Sequence, residues 1–126
     1  MPPDRPEILL RKARQDELIL EKLLTDRDLD DDMLGFHAQQ AAEKMLKAVL
    51  ASRDIDYPKT HNLRVLIELL ARHGIGIPES LAGVSRLTPF GTTFRYDTFP
   101  PASQADRVEW LESIRSLRAF VEAVLG

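Results

Sequence analysis

Cysteine is absent from the 126 residues. That excludes a disulfide scaffold, a thiolate zinc site, a cysteine nucleophile and an iron–sulfur cluster, and leaves carboxylate, hydroxyl, imidazole and cation as the available chemistry. Glycine is scarce, and its six occurrences form neither a phosphate-cradling P-loop nor a dinucleotide-binding pattern. No Gly-x-Ser-x-Gly elbow and no pair of histidines at metal spacing occurs either. An excess of positive charge is also missing: 17 Lys and Arg face 20 Asp and Glu, for a formal net charge of −3. Global attraction for nucleic acid is therefore lacking, and any such contact must be local. No stretch approaches the roughly eighteen apolar residues of a membrane span. The opening MPPDRPEILLRKARQ lacks the uncharged apolar core of a targeting signal. The expectation is a cytoplasmic protein without membrane contact, folded as a single domain over residues 1–126 and needing neither metal nor cofactor.

No segment of useful length alternates apolar and polar residues at the strand period, whereas helical spacing recurs throughout, so the predicted class is all-α. Leu10, Ala13, Leu20 and Leu24, with Ile19 and Leu23 widening the stripe, predict a first long helix over roughly residues 5–26. The following TDRDLDDDM carries five Asp, which compete for backbone bonds and suit a turn, with Asp31 or Asp32 as the next N-cap. Its Asp26, Asp28 and Asp30 have the spacing of a calcium loop, but Asp31 stands where such a loop needs Gly and His37 where it needs Glu, so a solvated turn is the better reading.

From about Asp32 to Arg53 a second helix separates two arcs. Leu34, Ala38, Ala41, Ala42, Met45, Leu46, Ala48 and Val49 form the apolar one; His37, Gln39, Gln40, Glu43, Lys44 and Lys47 form the polar one. Phe36 and Leu50 fall outside the apolar arc, which makes this helix either central to a bundle or part of an oligomer interface. Gln39, Gln40, Glu43, Lys44 and Lys47 form either a polar cleft against the last helix or a solvated or interhelical network. Arg11, Lys12 and Arg14 read as a solvated basic face.

Residues 54–60 read as a connection, with Pro58 breaking the helix and Thr60 placed to cap a third helix over about 61–73. Arg72, His73 and Gly74 suit that helix's end. A shorter helix is expected from Pro78–Glu79 until Pro89 stops it. Residues 90–102 fit no regular template. Ser103 with Asp106 has the spacing of a capping box, and Trp110, Leu111, Ile114, Leu117, Val121 and Leu125 carry a final helix.

The runs FHAQQAAEKMLKAVL (36–50), YPKTHNLRVLIELL (57–70) and FRYDTFP (94–100) together resemble the HEPN family of small helical domains, with a likeness spanning about residues 5–125. The resemblance implies an up-and-down four-helix bundle with an additional short helix, commonly paired as a homodimer. It also implies one of two functions. Many such domains are metal-independent endoribonucleases, including toxins paired with nucleotidyltransferase antitoxins, whose active site is an Arg followed after four to six residues by His. Others lack that motif and serve as binding modules beside nucleotidyltransferase-type partners. Here Arg95 occupies the Arg position, but the expected His positions hold Pro100, Pro101 and Ala102, and none of His37, His61 and His73 has an Arg at the required spacing. The departure favours a non-catalytic or weakly catalytic dimeric module that takes nucleotide or RNA, with a ribonuclease toxin of divergent active site as the alternative.

No catalytic residue is assigned. Arg95, whose planar fork suits phosphate oxygens, is a candidate ligand-binding residue together with Tyr96, Lys44, Lys47 and His61. Each also has a plain structural reading: Arg95 as a tie for its loop, His61 as a helix-capping residue after Thr60, and the lysines as members of a helix-surface network.

Overall fold

The computed structural model describes residues 5–92 and 102–126, and these contain helices and connecting turns but no strand. Helix α1 (Pro6–Leu23) starts with a proline at its first position, where the missing N–H leaves no orphan donor. Helix α2 (Asp31–Ser52) follows a turn in which the Asp28 amide donates to the Asp26 carboxylate at 3.0 Å. The acid-rich stretch is thus a turn, and Asp30 is the N-cap, one residue before the expected positions. Among the described residues no group of carboxylates and imidazoles is placed to hold a metal ion.

Helix α3 (Leu63–Arg72) is shorter than expected because its cap is Asn62, whose side chain accepts from the Arg64 amide. Thr60 acts one step earlier, its hydroxyl accepting from the Asn62 amide at 3.0 Å. Gly74 ends this helix at φ +81°, a left-handed conformation that glycine adopts without a Cβ clash. His73 Nδ1 reaches the Leu69 carbonyl at 2.9 Å. Three short pieces follow: α4 (Glu79–Ala82), a 3₁₀ turn (Gly83–Leu87) and α5 (Thr88–Thr92). Pro89 therefore does not terminate this region. It falls in the first turn of a new helix, where its fixed φ is tolerated. Helix α6 (Gln104–Leu125) opens on the expected capping box of Ser103 and Asp106, with both reciprocal bonds formed.

The described architecture is an all-α bundle of four longer helices, α1, α2, α3 and α6, with the short pieces inserted before the last. Helix α2 is its axis, packing against α1, α3, α5 and α6. Ala38, Ala41, Ala42 and Ala48 are inaccessible to solvent and let neighbours approach closely. Ala42 and Met45 join the core with Leu20, Leu46, Leu63, Leu66, Ile114 and Leu117. Of the two expectations for this helix, the central position in a bundle is the one observed: Leu50 is fully buried in the same core, while Phe36 is half-buried with its ring edge-on to His37. The face of α2 that looks polar in isolation is covered by other parts of the chain.

Two glycines set the spacing of α2 and α5. A Cβ on Gly35 would stand 2.5 Å from the ring of Phe90, and one on Gly91 would collide with the side chain of Gln39. Among the described residues no helix is long and apolar enough to cross a membrane.

Candidate functional site

The polar residues of α2 partition into two networks built on the same plan. In the first, Asp16 of α1 is buried, and its two oxygens take different partners: Oδ1 lies 3.0 Å from His37 Nδ1, and Oδ2 accepts from Lys44 Nζ at 2.6 Å. In the second, Glu43 is buried, with Oε1 at 2.7 Å from His61 Nδ1 and Oε2 accepting from Lys47 Nζ at 3.1 Å. Each is an imidazole–carboxylate–ammonium triad. Gln39, also buried, braces the second by donating to Glu43 Oε1 at 3.1 Å and to the His61 carbonyl at 2.9 Å, and its own oxygen accepts from Gln40.

Helical geometry explains the division. Positions 37, 40 and 44 follow one another by three and then four residues, and 39, 43 and 47 by four each time, so each set forms a stripe along α2. The first stripe meets α1, and the second meets the segment that leads into α3. The polar cleft expected against the last helix is accordingly absent from the described contacts of these residues: their partners come from α1 and from residue 61. Helix α6 instead sends Arg118 to the buried Glu17, which Arg14 also engages. No buried side-chain nitrogen or oxygen among the described residues lacks a partner.

Burial by itself would push the Glu43 carboxyl up. The bonds from Gln39, His61 and Lys47 and the charge of Lys47 outweigh it and hold the group below the ordinary carboxylate value. Glu43 is thus a fixed anion whose charge is shared between an ammonium and an imidazole. His61 is 57% exposed at its side chain. With Nδ1 on the carboxylate, its Nε2 faces away from that partner and is free to meet a ligand.

Lys44 and Lys47 converge on a groove of about 470 Å³ between α1 and α2, lined also by Arg5, Ile8, Leu9, Lys12 and Glu43. Lys44 and Lys47 are largely covered, at 24% and 14% exposure, and each is held in place by a carboxylate on one side. An ammonium carries three donors, so both retain capacity toward the groove. Lys47 also lies 5.7 Å from the centre of the Tyr57 ring. Lys12 is exposed and has no ion-pair partner among the described residues. Four cations, of which Arg5 is paired with Glu7 at 2.6 Å, one carboxylate and two aliphatic side chains line this groove, a set suited to an anion that also presents an apolar surface.

A second groove, of about 430 Å³, runs between residues 79–90 and the start of α6. Phe90 and Trp110 meet there edge-to-face at 5.2 Å, under a rim carrying Glu79, Glu109 and Arg86. Its charge is unsuited to phosphate.

Of the residues singled out from sequence, Lys44 and Lys47 share one groove, and His61 is joined to Lys47 through Glu43. Arg95 and Tyr96 lie outside the described residues. Sequence reasoning missed Lys12 and Arg5 as groove residues and Asp16 as the anchor of Lys44. The basic run Arg11-Lys12 and Arg14 was the available signal, but one helix's periodicity does not say which neighbour faces it.

The family model for the HEPN domain matches residues 6–125. The chain belongs to the HEPN family. Its structure is similar to the crystal structure of TT1696 from Thermus thermophilus, with a TM-score of 0.74, 25% sequence identity, and coverage of 95% of this chain and 98% of that one. No curated protein matches the sequence. The matched HEPN range takes in α1, both triads, every lining residue of the α1–α2 groove except Arg5, and all of α6, so the arrangement is set within a HEPN domain.

Proposed function

We propose that this HEPN domain is a homodimeric, cytoplasmic interaction module that binds a phosphate-bearing ligand, nucleotide or RNA, and works beside a nucleotidyltransferase-type partner. The observation that carries the ligand reading is the α1–α2 groove, in which Lys44 and Lys47 are pre-positioned by buried carboxylates and joined by Arg5 and Lys12. Pre-positioning matters because a lysine already held in one conformation loses less rotamer freedom on binding. A net-negative chain needs such local concentration of positive charge to meet a polyanion. Pairing with a second copy and with a nucleotidyltransferase is supported by family membership, in which both are common.

The test is calorimetric titration of nucleotide and of short RNA into the wild type, Lys12→Gln and Arg64→Gln. Arg64 is exposed on α3, away from the groove lining. Lys12→Gln is expected to weaken binding about five- to tenfold, a change of one phosphate contact, and Arg64→Gln to leave it unchanged. Equal loss from both would remove the case for a site between α1 and α2.

A ribonuclease reading has one observation in its favour. His61, oriented through Nδ1 by a buried carboxylate, has the arrangement of a general base and its positioning group. The missing Arg–His spacing and the assignment of Lys47 to the same carboxylate count against it. RNA cleavage abolished by His61→Ala and by Arg95→Ala would establish the catalytic reading in place of the binding one.

A further inference from the structure

We propose that the groove between residues 79–90 and the start of α6 is a docking site for a basic segment of a partner protein, one that carries arginine beside an apolar anchor. This goes beyond the phosphate-binding reading of the α1–α2 groove and does not depend on it. The sequence builds the second groove by giving α6 two stripes. Leu111, Ile114, Leu117 and Val121 recur every three or four residues and enter the core. Asp106, Glu109, Trp110 and Ser113 follow the i, i+3, i+4, i+7 spacing of another face and line the groove. The facing wall comes from the three short pieces after α3, whose Val84 and Leu87 are buried and whose Phe90 meets Trp110 edge-to-face. The space between the walls is about 430 Å³, enough to take side chains of a docked segment, and it has an apolar floor under an acidic rim.

Charge decides the occupant. Three carboxylates, Glu79, Asp106 and Glu109, share the lining with one guanidinium, Arg86. Asp106 commits Oδ2 to the Ser103 amide at 2.8 Å within the capping box. Glu79 and Glu109 are exposed and, among the described residues, have neither a hydrogen-bond nor an ion-pair partner. The lining is therefore net negative beside an apolar floor, which repels nucleic acid and anionic lipid and attracts a cation. Arginine meets both features of the groove. Its guanidinium pairs with a carboxylate through two parallel N–H donors, and it is weakly enough hydrated to lie against an aromatic ring, for which tryptophan is the best acceptor. Trp110 is half-buried and so keeps surface for such a contact. A cation alone would leave the rest of the Phe90 and Trp110 floor facing water, whereas an apolar side chain on the same segment covers it. An apolar anchor set inside a charged rim is the arrangement that concentrates binding energy in protein interfaces.

Trp110 is the single tryptophan of the chain, so its emission reports on this groove directly. The experiment titrates a short peptide with blocked ends, in which arginine and leucine alternate, into the full chain and follows that emission. The wild type is expected to give a saturable change that weakens with added salt. A matched peptide with glutamate in place of arginine is expected to give none, and one with serine in place of leucine to bind about tenfold more weakly. The double variant Glu79→Gln, Glu109→Gln, at two exposed positions, is expected to lose about tenfold in affinity for the arginine–leucine peptide, the effect of two exposed ion pairs. Glu68→Gln, which alters an exposed carboxylate of α3 outside the groove lining, is expected to leave that affinity unchanged. Absence of a saturable response, equal binding of either matched peptide, or a loss in the double variant no greater than that in Glu68→Gln overturns the proposal. Emission that shifts on dilution of the protein alone assigns the groove to a second copy of this chain and overturns it as well.

Discussion

Glu43 shows how much depends on single side chains in this fold. It is buried, accepts from three side chains, and belongs to a helix that looks evenly two-faced in sequence. Its carboxyl is held below its unfolded value, so the stability it confers is present above about pH 4.5 and is lost as pH falls through the lower, folded value. Acid unfolding is expected to show this loss below pH 4.5, with Glu43→Gln flattening that part of the curve and lowering stability near neutrality by about 2 kcal/mol as Lys47 loses its partner. Gly35 supplies a test of packing at the same scale. Gly35→Ala brings a Cβ against the Phe90 ring and is expected to cost about 1–3 kcal/mol in denaturant titration, with partial recovery when Phe90→Leu is added. Neither residue's importance was visible from composition. A buried glutamate and a solvated one look alike until the cover is known, and Gly35 reads as a weak helix former until Phe90 is placed above it.

At the scale of elements, the presence and type of the long helices were legible because local signals mark them, such as Ser103 with Asp106 as a cap and Gly74 after a last turn, although α1 and α3 are both shorter than expected. The region from Glu79 to Thr92 was less so. Its Pro89 could stop one helix or start another, and only the close approach of Gly91 to Gln39 distinguishes the two. The element junction that sequence reasoning did not find is Arg107. This guanidinium is 1% exposed and bonds Asp31 Oδ1 through Nε at 2.8 Å, the Asp26 carbonyl at 3.0 Å and the Leu29 carbonyl at 2.8 Å. It joins the start of α6 to the turn before α2. The Asp31 carboxyl would be raised by its burial, but the Ala102 amide and Arg107 overcome that and hold it low. Arg107→Met keeps the length and removes the fork, and is expected to lower stability by about 3 kcal/mol in chemical denaturation, because the carbonyls and Asp31 lose their donors together. Nothing in a lone arginine on an amphipathic helix announces this role, since its partners lie some 76 to 81 residues away in sequence.

For the molecule as a whole, the bundle was readable because apolar periodicity and the AQQAAEK segment agree, and the core they specify is the one observed except that Leu50 joins it and Ile19 stays exposed. The candidate site was readable only as a set of residue types. Lys44, Lys47 and His61 were named from the sequence, but the groove depends on how α1 lies across α2, and Lys12 and Asp16 enter only with that crossing. Oligomeric state belongs to this scale as well. With Leu50 inside the core and Phe36 half-buried, α2 gives little outward apolar surface for pairing, and the proposed homodimer rests on family membership. Sedimentation at micromolar concentration is expected to give about twice the 14.3 kDa of one chain, and a clean monomer would reject the dimeric module.

The Arg107 anchor also bears on local opening. A single buried side chain that holds two carbonyls of the 26–29 turn and the first acid of α2 makes those segments one unit with the beginning of α6. Amide hydrogens there cannot exchange by fraying of one segment alone, since withdrawing either strips the guanidinium of its acceptors. Protection of the early α6 amides and of the amides following Asp31 should rise and fall together under mild denaturant, as one cooperative end of the bundle.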